Sequence, residues 1–376
     1  MTTSPLAPYD ALVLLSFGGP EKPDDVMPFL QNVTRGRGIP TERLAEVGQH
    51  YHRFGGRSPI NAQNRALLAA LQAELWVRGS GAPVYWGNRN WAPFLHDALR
   101  EAHTAGSRRV LVVTTSAYSS YSGCRQYRED VADALIQLAG EGRSLHVDKV
   151  RHYFNHPGFV GANTDAVLAA LSRLESHLAD TARLVFVTHS VPASMASSAG
   201  PGGDAYVTQH KDVVATVSGE VARRTGVERA HDLVYCSRSG PPTQSWTEPD
   251  VGDHLEELAR GGVPAVVLAP VGFVSDHMEV VHDLDTEAAE VAARVGLPLV
   301  RAATAGTDAA FVAGLVDLVV ERARAERGET VSRPVHGGLP PSHDTCPVGC
   351  CPNPRGERPA ACGVDWVDPV ASEVAR

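Results

Sequence analysis

Three carboxylates, Glu279, Asp283 and Glu287, recur at every fourth position of PVGFVSDHMEVVHDLDTE (Pro270–Glu287), with His277 and His282 among them. On a helix this spacing puts all three acids on one face, where they repel one another unless a cation lies close. A solvated acidic surface would look the same, so position has to separate the two readings. The apolar run Ala265–Ala269 reads as a buried strand; Pro270, Gly272 and Asp276 then supply turn and N-cap chemistry, and a helix follows. Open α/β sheets bind ligands beyond the carboxyl ends of their strands. His189 holds the same kind of position, in THSVPAS after the run Leu184–Thr188. An imidazole there serves as a structural hydrogen-bonding group, a proton carrier or a metal ligand. Ser190 beside it lacks the Gly-x-Ser-x-Gly elbow and an evident acid partner, which argues against a nucleophile.

Thiols form the second constellation. Four of the six cysteines crowd into Cys346–Cys362, while Cys124 and Cys236 lie far off in sequence. In a reducing compartment such clustering points to metal rather than to a disulfide framework. Zinc suits four thiolates as well as an iron–sulfur cluster does, and a disordered tail of free thiols is the bland alternative. Cys236, within an apolar strand, reads as core. Thr34-Arg35-Gly36-Arg37 with Arg53 and Arg57 gives a local basic surface suited to carboxylates or phosphates. The glycine-rich FGGP and FGGRSP match neither a P-loop nor a dinucleotide fingerprint.

The elements that must position these groups alternate along the chain. Strands are expected at Ala11–Ser16, Val84–Gly87, Arg109–Thr114, Leu184–Thr188, Asp232–Cys236 and Ala265–Pro270. Helices are expected at 24–33, 41–51, 61–78, 91–105, 127–139, 206–225, 250–260 and 308–327, besides the acidic one. This rhythm predicts an α/β fold with two similar Rossmann-like domains, parallel sheets flanked by helices, and a cleft between them. The expected divisions are 1–158, 159–327 and an irregular Cys-rich tail over 328–376, with the change-over near Asn155–Gly161. Of the 376 residues, 43% are hydrophobic and 20% charged, the balance of a soluble globular protein. A net charge of −9 argues against a nucleic-acid partner. No stretch is long and apolar enough for a transmembrane helix, and the N-terminus has no basic n-region, so a cytoplasmic location is expected.

Seven fragments, SFGGP, TRGRG, FGGRSPI, GNRNW, VTHSVP, SRSGPP and PVGFVSDHMEVVHDLD, fall in the order and at the spacing of the ferrochelatases, which the chain resembles from about Ala11 to Glu287. The Cys-rich tail, and Phe17 where some bacterial members carry Tyr, are most similar to the actinobacterial group, associated with the coproporphyrin-dependent route. The resemblance implies insertion of Fe²⁺ into coproporphyrin III to give coproheme, without nucleotide, by a monomer that hands its product to a downstream decarboxylase. It assigns the catalytic pair to His189 and Glu279 and extends the metal-handling row to Asp283 and Glu287. Porphyrin contacts fall on Ser58 and Tyr127, with Phe17, Arg35, Arg37, Tyr51 and Ser237 nearby. Phe17 cannot ligate iron as a tyrosine could. Tailed members of the family resemble proteins with a [2Fe–2S] cluster, which implies four ligands among Cys124, Cys346, Cys350, Cys351 and Cys362.

Metal insertion requires removing two pyrrole protons, stripping water from the ion and bending the ring. A neutral imidazole at His189 would accept a proton or hold the metal briefly. The Glu279 carboxylate suits a hard hydrated cation. Phe17, Tyr118 and Trp246 are expected as aromatic walls, and arginines and hydroxyls as receivers of propionates. Protoporphyrin IX as substrate, a non-catalytic porphyrin or metal carrier, and a metallohydrolase built on His189 and Glu279 are the alternatives at this point.

Overall fold

Uninterrupted apolar runs become parallel strands. β1 (Ala11–Ser16), β2 (Val84–Asn88), β3 (Arg109–Thr114) and β4 (His146–Lys149) form one sheet in the order β2-β1-β3-β4. β5 (Arg183–His189), β6 (His231–Cys236), β7 (Val266–Ala269) and β8 (Leu299–Arg301) form another in the order β6-β5-β7-β8. All neighbouring strands are parallel. The second order is the first repeated, so the two halves share one topology. In each, the chain reverses its direction of spread between the first and third strands, leaving a crevice at their carboxyl ends. β1 and β7 are buried along their whole length, as strands covered on both faces must be. The computed structural model describes residues 4–240 and 243–367; Pro241 and Pro242 of the SRSGPP motif and positions 368–376 of the tail lie outside them.

Among the elements the sequence did not lead us to expect, three belong to the frame of the fold. β4 and β8 were not expected, being short edge strands that carry polar residues. A helix, Pro157–Leu171, runs through the expected change-over. Its start is well marked: His156 accepts from the Gly158 N–H and Pro157 fills the first turn.

This helix and the terminal one, Ala309–Glu326, fasten the halves together. Their backbones approach so closely that a Cβ on Gly158 would collide with the Ala310 carbonyl. Phe159 packs against Tyr153 and Phe311, with ring centres 5.8 Å apart in both cases. Leu12 and Leu111 from the first sheet join Leu184 and Val267 from the second in one buried cluster. A buried ion pair, Arg151 to Glu321 at 2.7 Å, ties the end of β4 to the terminal helix. Asp148 of β4 accepts from Tyr9 at 2.8 Å and lies 3.0 Å from Arg322 of that helix.

After Glu326 the described residues contain no helix or strand. The tail is nevertheless pinned. The His336 N–H donates to the Asn155 carbonyl at 2.8 Å, and the Asn155 amide donates to the carbonyls of Leu339 and Pro340 at 2.9 and 3.1 Å. No helix among the described residues is long and apolar enough to cross a membrane.

Candidate functional site

His189 ends β5, and the loop after β7 folds back towards it. The Gly272 N–H donates to the Val187 carbonyl at 3.1 Å. A Cβ on Gly272 would collide with Thr188, so a side chain there would force the loop off the strand. The helix that follows begins at Met278. Asp276 does not cap it, contrary to expectation, because its carboxylate is engaged by Arg301 and the Thr304 hydroxyl, each at 3.2 Å. From Val280 to Ala288 the helix is wound as a π-helix, a form found frequently at functional sites.

The loop delivers Glu279 to His189, with Nε2 and Oε2 3.4 Å apart. The other ring nitrogen is held by the Ser190 carbonyl, which fixes the tautomer and leaves Nε2 aimed at the carboxylate. Glu279 keeps 49% of its side chain open to the cleft. Burial favours a neutral imidazole, but the Glu279 charge and hydrogen bond prevail and raise the His189 pKa to about 9. Glu279, which burial would push up, is drawn down to about 2 by His189. Both shifts favour the charged pair when no metal is bound.

The rest of the acidic row lies beyond this pair. Ser237, in a left-handed conformation just after β6, donates to Asp283. His282 contacts Asp283 at 3.2 Å and Glu287 at 3.8 Å, and donor atoms of all three lie close enough to share one cation. Burial, with Glu279 and Glu287 adding repulsion, raises the Asp283 pKa to about 6.

The first domain supplies the opposing wall. His50, on the helix Thr41–Arg53, stacks on His282 with ring centres 3.8 Å apart. Tyr51 follows it, its phenol pKa raised by burial and by the Glu279 and Asp283 charges. Phe17 at the end of β1 is 38% exposed and turns its edge to Phe29. Arg35 and Arg37 are exposed, in the turn after the helix Val26–Val33. Ser58 is buried behind Gly19, and Tyr127 is buried beneath Arg89, whose guanidinium stands 4.4 Å from its ring. Tyr118, expected as a wall, is core: it stacks on His210 at 3.6 Å and donates to the Val271 carbonyl at 3.0 Å. Trp246 is half-buried against Gly240. Sequence reasoning passed over His50 and Arg89. Arg89 had a signal, since it stands directly after β2 inside GNRNW. Ser190 is buried and donates to the Thr247 carbonyl at 3.0 Å, a structural role.

The cysteines sort themselves. Cys124, Cys346, Cys350 and Cys351 form one buried cluster, with sulfurs 3.9 Å apart for Cys124–Cys346 and 3.8 Å for Cys350–Cys351. Cys362 lies outside it, its sulfur 3.4 Å from the Val147 carbonyl, and Cys236 is core within the second domain. The Gly200 N–H, from the second domain, donates to the Cys351 sulfur at 3.1 Å. His343 approaches Cys350 at 3.9 Å.

Comparison with known proteins follows the same lines. A coproporphyrin III ferrochelatase of Streptomyces griseus is 60% identical over 365 residues, covering 96% of this chain and 97% of its own. The corresponding protein of Streptomyces coelicolor is 59% identical with the same coverage, and that of Mycolicibacterium smegmatis is 51% identical over 83% of this chain and 89% of its own. Among solved structures, SirB from Bacillus subtilis with Fe³⁺ is similar in fold, at a TM-score of 0.51 and 12% identity over 85% of this chain and 97% of its own. The ferrochelatase family profile matches residues 9–323, through both sheets and every residue of the His189–Glu279 cleft, and the chain belongs to the ferrochelatase family.

Proposed function

We propose that this chain is a coproporphyrin III ferrochelatase, inserting Fe²⁺ into the free-base porphyrin and releasing two protons. The observation that carries the reading is the 3.4 Å approach of His189 to Glu279 beyond the carboxyl ends of the second sheet. Support comes also from near full-length relatives of that name. The porphyrin lies between the two domains with one face towards the pair. Fe²⁺ arrives along Glu287 and Asp283, whose oxygens and the His282 ring suit a hydrated divalent ion. Its arrival at Glu279 cancels the charge that keeps the proton on His189. The imidazole then releases that proton to solvent water and, now neutral, accepts a pyrrole proton, which leaves by the same route. Tyr51 and Phe17 border the ring, while Arg35, Arg37, Ser58, Tyr127 and Ser237 lie in the shell that orients it. The protein acts as a monomer in the cytoplasm and passes coproheme to a decarboxylase.

The test is anaerobic incubation with Fe²⁺ and coproporphyrin III, following loss of the free-base spectrum over many turnovers. Protoporphyrin IX is run in parallel. Stoichiometric binding without turnover would leave a carrier, and equal or better use of protoporphyrin would reassign the substrate.

The reading includes a [2Fe–2S] cluster on Cys124, Cys346, Cys350 and Cys351. The surroundings fit an anionic centre. Lys149 is 6% exposed and, among the described residues, its ammonium meets only the Val150 carbonyl, at 3.4 Å. A buried cation so poorly paired calls for negative charge beside it. Among the described residues neither ring nitrogen of the buried His152 has a partner, and the backbone N–H of Gly200 already points at a cysteine sulfur. When bound, such a cluster supplies one-electron chemistry and a cross-link between distant chain segments.

A further inference from the structure

We propose that Tyr206, His210 and Tyr118 act as one buried positioning network that sets the approach of His189 to Glu279. His189 ends β5, and its carbonyl accepts from the Tyr206 hydroxyl at 2.7 Å. The hydroxyl of Thr188, one residue earlier, lies 2.9 Å from that of Tyr206 and 2.8 Å from His210 Nε2. The helix Ala205–Thr225 carries both Tyr206 and His210. The direction of each hydrogen bond follows from one carbonyl. His210 Nδ1 stands 2.7 Å from the Tyr206 carbonyl, which can only accept, so Nδ1 carries a proton. Burial drives the His210 pKa down to about 3, so the ring is neutral and Nε2 accepts. The Thr188 hydroxyl therefore donates to His210. Its oxygen is left to accept from Tyr206, whose single proton serves Thr188 and the His189 carbonyl together.

The network reaches the other half of the pair through Tyr118, on the loop after β3 in the first domain. The Tyr118 ring stacks on His210 with centres 3.6 Å and planes 13° apart, and its hydroxyl donates to the Val271 carbonyl at 3.0 Å. Val271 opens the loop that carries Glu279, and the next residue, Gly272, lies so close to Thr188 that it has no room for a Cβ. Gln209 fastens the Tyr118 loop to the same helix: it accepts from the Ser119 N–H at 2.8 Å and donates to the Ser119 hydroxyl at 3.0 Å. One contiguous group thus holds both the strand end that bears His189 and the loop that bears Glu279. Tyr118, Thr188, Tyr206 and His210 are all buried, so a bond lost among them is not made good by bulk water. An acid–base pair is sensitive to displacements that leave a fold intact. These side chains act through His189 and Glu279, which makes them positioning residues. The inference rests on the chelatase reading above.

The experiment uses the full-length protein with Tyr206→Phe, which removes the donor to the His189 carbonyl, and Tyr118→Phe, which keeps the stack on His210 but frees Val271. Each is also combined with the replacement of the group it positions, His189→Ala for Tyr206→Phe and Glu279→Gln for Tyr118→Phe. Kinetics with Fe²⁺ and coproporphyrin III are measured anaerobically, well below the melting temperature of every variant. Each single variant is expected to lower kcat about tenfold, within what an ångström of misplacement costs. The KM values for porphyrin and Fe²⁺ should stay within about twofold of the wild type, because neither binding surface is altered. In the combined variants the tyrosine replacement should change the residual turnover by less than about twofold, since the group it positions is already gone. Wild-type kcat in both single variants overturns the assignment. So does a tenfold loss that persists in full beside His189→Ala and Glu279→Gln, which would mark general damage to the core. A wild-type protein without turnover overturns the chelatase reading itself.

Discussion

His189 Nε2, at the end of β5, and Glu279 Oε2, on the helix reached by the loop after β7, face each other at 3.4 Å. Each partner is perturbed by the other, so they act as one proton-carrying unit. His189→Ala and Glu279→Gln should each lower turnover by at least about a hundredfold, the scale of a positioned acid–base group. Coproporphyrin binding measured without metal should persist. Near-normal turnover in either variant would sink the pair's role.

Asp283 and Glu287 meet around His282, further along the helix than Glu279. Replacing them by Asn and Gln should raise the apparent KM for Fe²⁺ more than that for porphyrin, since cation attraction is lost and the macrocycle is untouched. Equal effects on both substrates would make the row structural.

Anaerobically purified protein should be brown and contain about two cluster irons and two acid-labile sulfides per chain. Cys124→Ser should bleach it and lower the melting temperature, because the cross-link closes a long loop. Cys362→Ser should keep the colour, its sulfur lying apart at the Val147 carbonyl. Colourless protein with stoichiometric zinc refutes the cluster.

Asp148 is 15% exposed, and its pKa falls to about 2. Burial would raise it, but the His146 and Tyr9 hydrogen bonds and the Arg322 charge prevail. A carboxyl depressed on folding stabilises the protein above its unfolded pKa of about 4, and that contribution disappears as pH falls towards 2. Asp148→Asn should cost on the order of 2 kcal/mol at neutral pH and flatten the fall in melting temperature between those values. An unchanged acid limb would contradict this.

Legibility in the sequence tracked burial. β1 and β3 were readable to the residue because they are continuous apolar runs. β4 and β8 hid because edge strands tolerate His146, Asp148 and Arg301. The helix at Pro157 was not expected, since Asn155-His156-Pro157-Gly158 reads as a turn although His156 and Pro157 also mark a helix start. His189 and Glu279 were legible from strand ends, but their shared proton depends on a distance that spacing does not encode. Separating Cys362 from the other four thiols required the path of the tail, which no periodicity records.

The π-winding of Val280–Ala288 constrains which insertions and deletions a lineage of this chain could survive. Residues here alternate between two obligations: Val280, Leu284 and Ala288 fill the core, while Asp283 and Glu287 serve the cleft side. Dropping one residue after Glu279 would narrow a wide turn towards ordinary α-winding and change the faces on which the residues of this segment lie. Asp283 would then leave Ser237, or Leu284 would leave the core. A length change in this segment therefore sacrifices either the acidic row or the packing beneath it, whereas the loop at Arg35–Arg37 could gain or lose residues without that conflict.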